Sequence, residues 1–294
     1  FAEARARFEE ADAVLGFSIS ALMFGTDADE PAAAERIKQT DITQPALYIH
    51  SLAASAVLQQ QGIHPEMAAG HSLGEYSALA AVGALSFEDG LRVVRRRGVL
   101  MGQAGDERPG TMAAVLGLDD AVLESVCGEA SEAGPGIVQQ ANFNAPGQVV
   151  LSGDVEAVAR AMEMARERGA RRVVPLPVSG AFHSPLMGYA RDGLAEALIA
   201  LPIREPRCPV YLNVTAQPTT DPEEIRTRLL EQLMSPVRWA QSLQHMHADG
   251  AARFVEVGAG RVLAGLARRT LGRDIETVAA GKAQDLTALA GATG

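Results

Sequence analysis

Apolar and polar positions along this chain repeat mostly with a helical period, interrupted by a few short apolar runs. Residues 8–15 predict an amphipathic helix, with Ala11, Val14 and Leu15 at helical spacing. A second helix is predicted to open at Thr43-Gln44-Pro45 and run to about 61. That places Pro45 in the first turn, where its missing N–H costs nothing. Gly62-Ile63-His64-Pro65 ends it, and a short strand over 67–69 leads into Gly70-His71-Ser72-Leu73-Gly74. An alanine-rich helix over 75–85 follows, then another from 86 or 87 to about 102.

Beyond this point the pattern changes. A strand over 110–116, a helix over 119–133, and strands over 137–142 and 148–152 surround the turn Asn144-Ala145-Pro146-Gly147. A helix over 154–169 and a strand over 171–176 complete a β-α-β-β-α-β order, the split, ferredoxin-like arrangement. The reading is therefore α/β, with a small inserted ferredoxin-like domain at 108–178 and a large catalytic domain at 1–107 and 179–294. The large domain resumes with a helix over 185–201, a strand over 210–213, a helix over 223–233 and a strand over 253–257. Residues 283–294 read as a mobile tail.

Composition narrows the classes. A chain of 294 residues suits one main α/β unit with an inserted part. A net charge of −10 argues against nucleic acid as the main partner. Only two of the 26 basic residues, Lys38 and Lys282, are lysines, a bias read first as compositional. The longest clean apolar stretch, 78–85, is far too short to cross a membrane, and the first residues lack a signal-peptide pattern. Cys127 and Cys208 have no metal spacing and form no disulfide framework; they read as small buried hydrophobes in a reducing compartment. A cytoplasmic monomer with no metal, cofactor or membrane partner is expected.

Gly70-His71-Ser72-Leu73-Gly74 fits G-x-S-x-G, a sharp strand-to-helix turn that lifts a serine clear of the backbone. Glycine at each flank leaves room for so tight a turn. Ser72 then lies near a helix N-terminus, where free N–H groups favour developing negative charge, and a serine that forms acyl-enzymes is the obvious use. A chance turn in a chain with 29 glycines is the competing reading. A nucleophilic serine needs a base, usually histidine. His50 lies mid-helix and reads as structural, and His64 precedes a proline in a loop. His71 projects from the turn in another direction. His245 and His247 look solvent-facing and lack further metal ligands.

His183 differs, because Ser184 is a plausible N-cap and Pro185 a plausible first helical residue. That puts His183 at a strand-to-helix junction, where cleft residues of open α/β sheets collect. A packed loop histidine is the alternative. Arg97 shares a helical face with Val93, Val94 and Met101, whereas Arg96 lies with Arg92 and Val99. An inward arginine needs an anion: a structural Asp or Glu, or a substrate carboxylate held bidentately by the planar guanidinium.

Four motifs together resemble the malonyl-CoA:acyl carrier protein transacylase family, related to the acyltransferase domains of polyketide synthases. They are Gly70-His71-Ser72-Leu73-Gly74-Glu75-Tyr76, Arg95-Arg96-Arg97-Gly98, Asn142-Phe143-Asn144-Ala145-Pro146-Gly147-Gln148 and Gly180-Ala181-Phe182-His183-Ser184-Pro185. The resemblance covers nearly the whole chain. It implies an α/β-hydrolase-like large domain with a parallel sheet. It also implies that malonyl passes from malonyl-CoA to the phosphopantetheine thiol of acyl carrier protein through a malonyl-serine.

By the same resemblance Ser72 is the acylated nucleophile and His183 the general base, oriented by a backbone carbonyl at Gln232. Leu73 offers an oxyanion N–H, Arg97 pairs with the malonyl carboxylate, Gln44 lies near that pocket, and Asn144 is a substrate-binding position. Phe182 resembles malonyl-selective members. The family opens on a short strand and a glycine-glutamine loop that completes the oxyanion hole. The present sequence starts within what resembles the family's first helix; the resemblance implies either an omitted segment, which is the expectation, or a truncated and impaired chain. Arg171, Arg172 and Arg191 are candidate basic contacts for an acidic carrier protein. Alternatives are a polyketide-type acyltransferase for other extender units, a serine esterase or thioesterase, and a non-catalytic scaffold.

Overall fold

The computed structural model describes residues 1–25, 30–178 and 180–291. The chain opens with helices α1 (Ala2–Leu15), α2 (Ile19–Phe24), α3 (Glu30–Arg36) and α4 (Thr40–Gln60). Helix α4 begins ahead of the predicted Thr43, so Pro45 lies inside it rather than in its first turn. Proline lacks the N–H that would bond the carbonyl four residues earlier, here that of Asp41. Arg95 supplies the missing donor. Its Nη1 bonds the Asp41 carbonyl and also pairs with Asp41 Oδ2 at 2.7 Å.

Strand β1 (Ala68–Ala69) and helix α5 (Gly74–Ala81) follow, then helix α6 (Phe87–Glu107), which runs on past the predicted end. Ser86 caps α6: its Oγ accepts from Asp89 N at 3.0 Å. The buried stripe of α6 includes Leu91, Val94, Arg97 and Met101. Gly98 lets α4 lie close alongside, since a Cβ there would stand 2.8 Å from Asp41 Cα. The resulting core gathers Tyr48, Ile49, Leu79 and Leu91.

Four further strands form one antiparallel sheet in the order β3-β4-β2-β5: β2 (Gly110–Leu116), β3 (Val138–Ala145), β4 (Gln148–Asp154) and β5 (Arg172–Pro175). Helices α7 (Asp120–Glu132) and α8 (Val155–Glu167) connect them. Side chains alternate faces with a period of two. Ala113, Val115, Val149 and Leu151 face Leu123, Val126 and Val158 of the helices. Met112, Ala141 and Val150 on the opposite face meet Leu176, Val178 and Phe182. The β3 edge is anchored elsewhere: Phe143 N donates to Val237 O at 2.9 Å, and Val237 N to Ala141 O at 2.8 Å.

The remaining elements follow a single 3-10 turn at Pro185–Met187. They are α9 (Gly188–Ala200), β6 (Val210–Tyr211), β7 (Pro218–Thr219), α10 (Pro222–Gln232), α11 (Trp239–Ala248), β8 (Arg253–Val257), α12 (Val262–Leu271), β9 (Glu276–Ala280) and α13 (Ala283–Gly291). β1 pairs parallel with β6, and β8 parallel with β9, in two separate sheets. Among the described residues the predicted single parallel sheet is thus divided.

The predicted mobile tail is also corrected. Residues 283–291 form α13, because Leu286 and Leu289, three apart on one helical face, bury themselves against Ala54, Val57, Leu58 and Ala280. The last three residues of that predicted tail, 292–294, lie outside the described residues. No helix among the described residues is long and apolar enough to cross a membrane.

Arg95→Ala leaves the Asp41 carbonyl and carboxylate without their donor. Because the pair is partly solvated, we expect a loss near the low end of the unsatisfied-group range, about 1 kcal/mol. It should appear as a lower urea midpoint at unchanged m-value; an unchanged midpoint would show that water replaces the guanidinium at no cost.

Candidate active site

β1 ends at Ala69 and the chain reverses at once into α5, with Ser72 at the turn in the left-handed region, φ 51°. Such a conformation in a non-glycine residue costs on the order of 1–3 kcal/mol and persists only where its surroundings impose it. Gly70 makes the turn possible, since a Cβ there would lie 1.8 Å from Gly74 O. Gly74 does not need to be glycine on the same ground: a Cβ there meets nothing within 4 Å, so the expectation of steric need at both flanks holds at one only. Leu73 is the N-cap of α5, and its N–H has no hydrogen-bond acceptor among the described residues.

Ser72 Oγ has two partners. His183 Nε2 lies 2.8 Å away, and Arg97 Nη2 lies 3.0 Å away. His183 Nδ1 faces the Gln232 carbonyl at 2.9 Å, which can only accept, so Nδ1 carries the proton and Nε2 presents its lone pair to the serine hydroxyl. The His183 backbone is itself left-handed, φ 59°, and its carbonyl accepts from Gln139 Nε2 of β3 at 3.0 Å. Burial, with the nearby Arg97 charge second, lowers the His183 pKa to about 3, opposed by the bond to the Gln232 carbonyl. The ring is neutral at physiological pH and able to accept a proton.

Arg97 is only 1% exposed. Nη1 donates to Gln44 Oε1 at 2.6 Å, and Nη2 donates to Gln232 Oε1 at 3.0 Å as well as to Ser72 Oγ. Nε has no partner among the described residues. Burial lowers the Arg97 pKa, but its guanidinium lies over the Tyr76 ring, 5.7 Å from the centroid, within reach of a cation–π contact. Gln44 is held in turn by its own Nε2, which donates to Met101 Sδ at 3.2 Å.

Two further residues of this cluster escaped the sequence reading. Asn213 Oδ1 accepts from Ser72 N at 2.7 Å, while its Nδ2 donates to Gly70 O at 2.7 Å. Glu75, fully buried, accepts from Asn213 N at 3.3 Å and from Gln232 Nε2. The register of β1 on β6 pairs Ala69 with Tyr211, which brings Asn213 level with the elbow. A polar residue just past the carboxyl end of a strand parallel to the elbow strand was the available signal for Asn213.

Ser72, His183, Arg97, Gln44, Gln232 and the Leu73 amide therefore come together. Asn144 does not join them: its Oδ1 pairs with His71 Nε2 at 2.8 Å, a bond that spans from the β3–β4 turn to the elbow, while the His71 ring meets the edge of Trp239. His50 bonds the Gly281 carbonyl at 3.0 Å, the structural role read for it. His245 is half-buried rather than solvent-facing, because Nδ1 bonds the Ala216 carbonyl at 2.7 Å; His247 is exposed. Phe182 wedges between the main core and the sheet. Arg191 pairs with its neighbour Asp192 at 2.9 Å, and Arg171 and Arg172 are exposed. Cys127 and Cys208 are buried free thiols.

An α/β chain with an elbow serine between a neutral imidazole and a buried guanidinium has the groups that acyl transfer requires. Residues 1–288 match the model of the acyl transferase domain, and the chain belongs to this acyltransferase family. It is 44% identical over 276 residues to the malonyl CoA-acyl carrier protein transacylase of Bacillus subtilis, covering 94% of this chain and 84% of that protein. The solved acyl-carrier-protein-S-malonyltransferase of Bartonella henselae superposes with TM-score 0.91 at 39% identity, covering 98% of this chain and 90% of that one. A malonyl-transacylase solved in complex with a type II polyketide acyl-carrier protein gives TM-score 0.92 at 37% identity, covering 99% and 92%.

The unequal glycines give a paired test. Gly70→Ala must displace the Gly74 carbonyl and should cost about 10²-fold in Ser72 labelling by a small sulfonyl fluoride, as misplacement of a reacting group by about 1 Å does. Gly74→Ala should label and melt like the parent protein. Equal damage from both would refute the steric account of the elbow.

Proposed function

We propose that this chain transfers malonyl from malonyl-CoA to the phosphopantetheine thiol of acyl carrier protein through a malonyl-serine at Ser72. One observation carries the reading: a buried guanidinium and a neutral imidazole converge on the same hydroxyl oxygen. The imidazole suits a general base, and the guanidinium suits a substrate that bears a free carboxylate.

In this reading His183 Nε2 takes the Ser72 proton as Oγ attacks the malonyl thioester. The tetrahedral oxyanion is received by the Leu73 N–H, which has no other acceptor among the described residues. The coenzyme A thiolate leaves with the proton from His183. The carrier thiol then gives its proton to the same nitrogen as its sulfur attacks the malonyl-serine ester, and Ser72 is restored. Gln232 O holds the ring in the required tautomer throughout. Arg97 turns part of its hydrogen bonding from Gln44 and Gln232 to the malonyl carboxylate, with its unpartnered Nε available as well.

The architectural reading is that 1–107 and 179–294 form an α/β-hydrolase-like unit and 108–178 a ferredoxin-like one. The antiparallel order β3-β4-β2-β5, with both helices on one face, supports the second part. The two buried free thiols support a cytoplasmic setting. A hydrolase with a Ser-His-Asp/Glu triad would place a carboxylate on His183 Nδ1, where this chain places a carbonyl.

Labelled malonyl-CoA should modify the Ser72 peptide, and holo acyl carrier protein should discharge it faster than water does. An unmodified serine would favour a scaffold, and discharge to water alone an esterase. Arg97→Ala should lower kcat/KM for malonyl-CoA by about 10²-fold or more, the loss expected on removing a charged hydrogen-bond partner worth about 3 kcal/mol, and should raise tolerance of acetyl-CoA. Malonyl preference surviving intact in that variant would sink the carboxylate clamp.

A further inference from the structure

Glu75 is a carboxylic acid with no exposed surface, placed directly beneath the elbow. Both of its hydrogen-bond partners are donors, Asn213 N on Oε1 and Gln232 Nε2 on Oε2. Those two partners are also the groups that hold the reacting side chains. Asn213 Oδ1 takes the Ser72 amide. Gln232 presents its backbone carbonyl to His183 Nδ1 and its side-chain Oε1 to Arg97 Nη2.

The Gln232 amide has only one workable orientation. Nε2 faces three acceptors, namely Ser72 O at 2.9 Å, Asn213 Oδ1 at 3.4 Å and the Glu75 carboxylate, while Oε1 faces the guanidinium. Rotating the amide by half a turn would set oxygen against three oxygens and N–H against N–H. Protonating Glu75 would turn one of its two acceptor oxygens into a donor and set O–H against one of the two N–H groups aimed at the carboxylate.

We propose that Glu75 is a positioning residue that must be ionised for transfer, holding Ser72 through Asn213 and both His183 and Arg97 through Gln232. This rests on the acyl-transfer reading above. The charged and titratable groups facing Glu75 are Arg97 from α6 and Tyr76 beside it on α5. Its α10 and β6-loop neighbours, Gln232 and Asn213, are neutral. Arg97 is the only cation among these, so the carboxylate and guanidinium form a buried pair relayed through one amide.

A pH dependence follows, with a sign that separates Glu75 from the base. Burial raises the Glu75 pKa to about 7, against the lowering pull of Gln232, Asn213 and Arg97. The His183 pKa is lowered to about 3, so the imidazole stays unprotonated throughout the weakly acidic range. Activity then requires the ionised carboxylate and falls as pH drops through about 7, with Glu75 and not His183 as the titrating group.

The test is the pH profile of kcat/KM for Ser72 malonylation in the full chain and in Glu75→Gln. A glutamine offers one acceptor and one donor where two donors wait, so one bond is lost. The alkaline plateau should fall by about 10²-fold, the scale of a misaligned reacting pair. The acidic limb with a midpoint near 7 should disappear from the variant, because its titrating carboxyl is gone. A lowered plateau with the limb retained would mean a merely structural residue and overturn the proposal, as would a variant with the parent rate.

Should the variant not fold, wild-type protein carrying δ-¹³C-glutamate settles the matter by NMR. One carboxyl titrating with a midpoint near 7 supports the proposal, and every glutamate titrating in the ordinary range defeats it. Absence of any malonyl-Ser72 in the wild type would sink the transfer reading instead, and the NMR titration would remain legible without it.

Discussion

A guanidinium almost wholly removed from water dictates much of this structure. Arg97 cannot be left without acceptors, because an unpaired buried charge costs several kcal/mol. Its acceptors come from three separate pieces of chain: Gln44 in α4, Ser72 at the elbow and Gln232 at the end of α10. Satisfying one side chain therefore fixes the relative placement of those pieces. The neighbouring Arg95 does similar work on the outside of the same helix pair, repairing the gap that Pro45 opens in α4. Two arginines, Arg95 and Arg97, thus tie α6 to α4 from two directions, and Gly98 lets the helices approach closely enough for both contacts.

The paired groups sit on strained backbone. Ser72 and His183 are two of only three non-glycine residues with positive φ among the described residues. Each conformation is held from outside its own segment: Ser72 by Asn213, and His183 by Gln139 and Gln232. Left-handed backbone aims the two side chains at each other from loops 111 residues apart in sequence. The surrounding hydrogen bonds offset the strain, and the hydroxyl and imidazole need little reorganisation to react.

The sequence carried the elbow, the inward face of Arg97 and the junction at His183, because each is local: a glycine-flanked serine, a helical period, a serine-proline helix start. It carried the strand and helix order between 110 and 175 for the same reason. The network beneath the elbow was not legible in the same way. Glu75 lies on a helix whose other residues are mostly small or apolar, and a lone carboxylate there gives no sign of being buried until its donors arrive from α10 and the β6 loop. Pro45 was misplaced because its cost is offset by Arg95, fifty residues away in sequence, and residues 283–291 were read as a tail because the apolar patch they cover belongs to α4 and β9.

The four-stranded sheet reaches the candidate site itself. Gln139, on the four-stranded sheet, holds the carbonyl of His183, and Asn144, at the end of the same strand, holds His71 beside Ser72. Strand β3 therefore bonds His183 directly and, on the elbow side, His71, the residue before Ser72, and its backbone is stitched to Val237 between those two points. The register shifts in β3 fall on this stretch, at Gln140/Asn142 and Phe143/Ala145. A bulge re-aims side chains without breaking the sheet, and these shifts lie between Gln139, which bonds the His183 carbonyl, and the end of the strand, where Asn144 bonds His71. The sheet is thus tied to the candidate site rather than an appendage, because β3 side chains bond the carbonyl of His183 and the ring of His71, the chain neighbour of Ser72, and Ser72 and His183 are the two residues that meet at 2.8 Å.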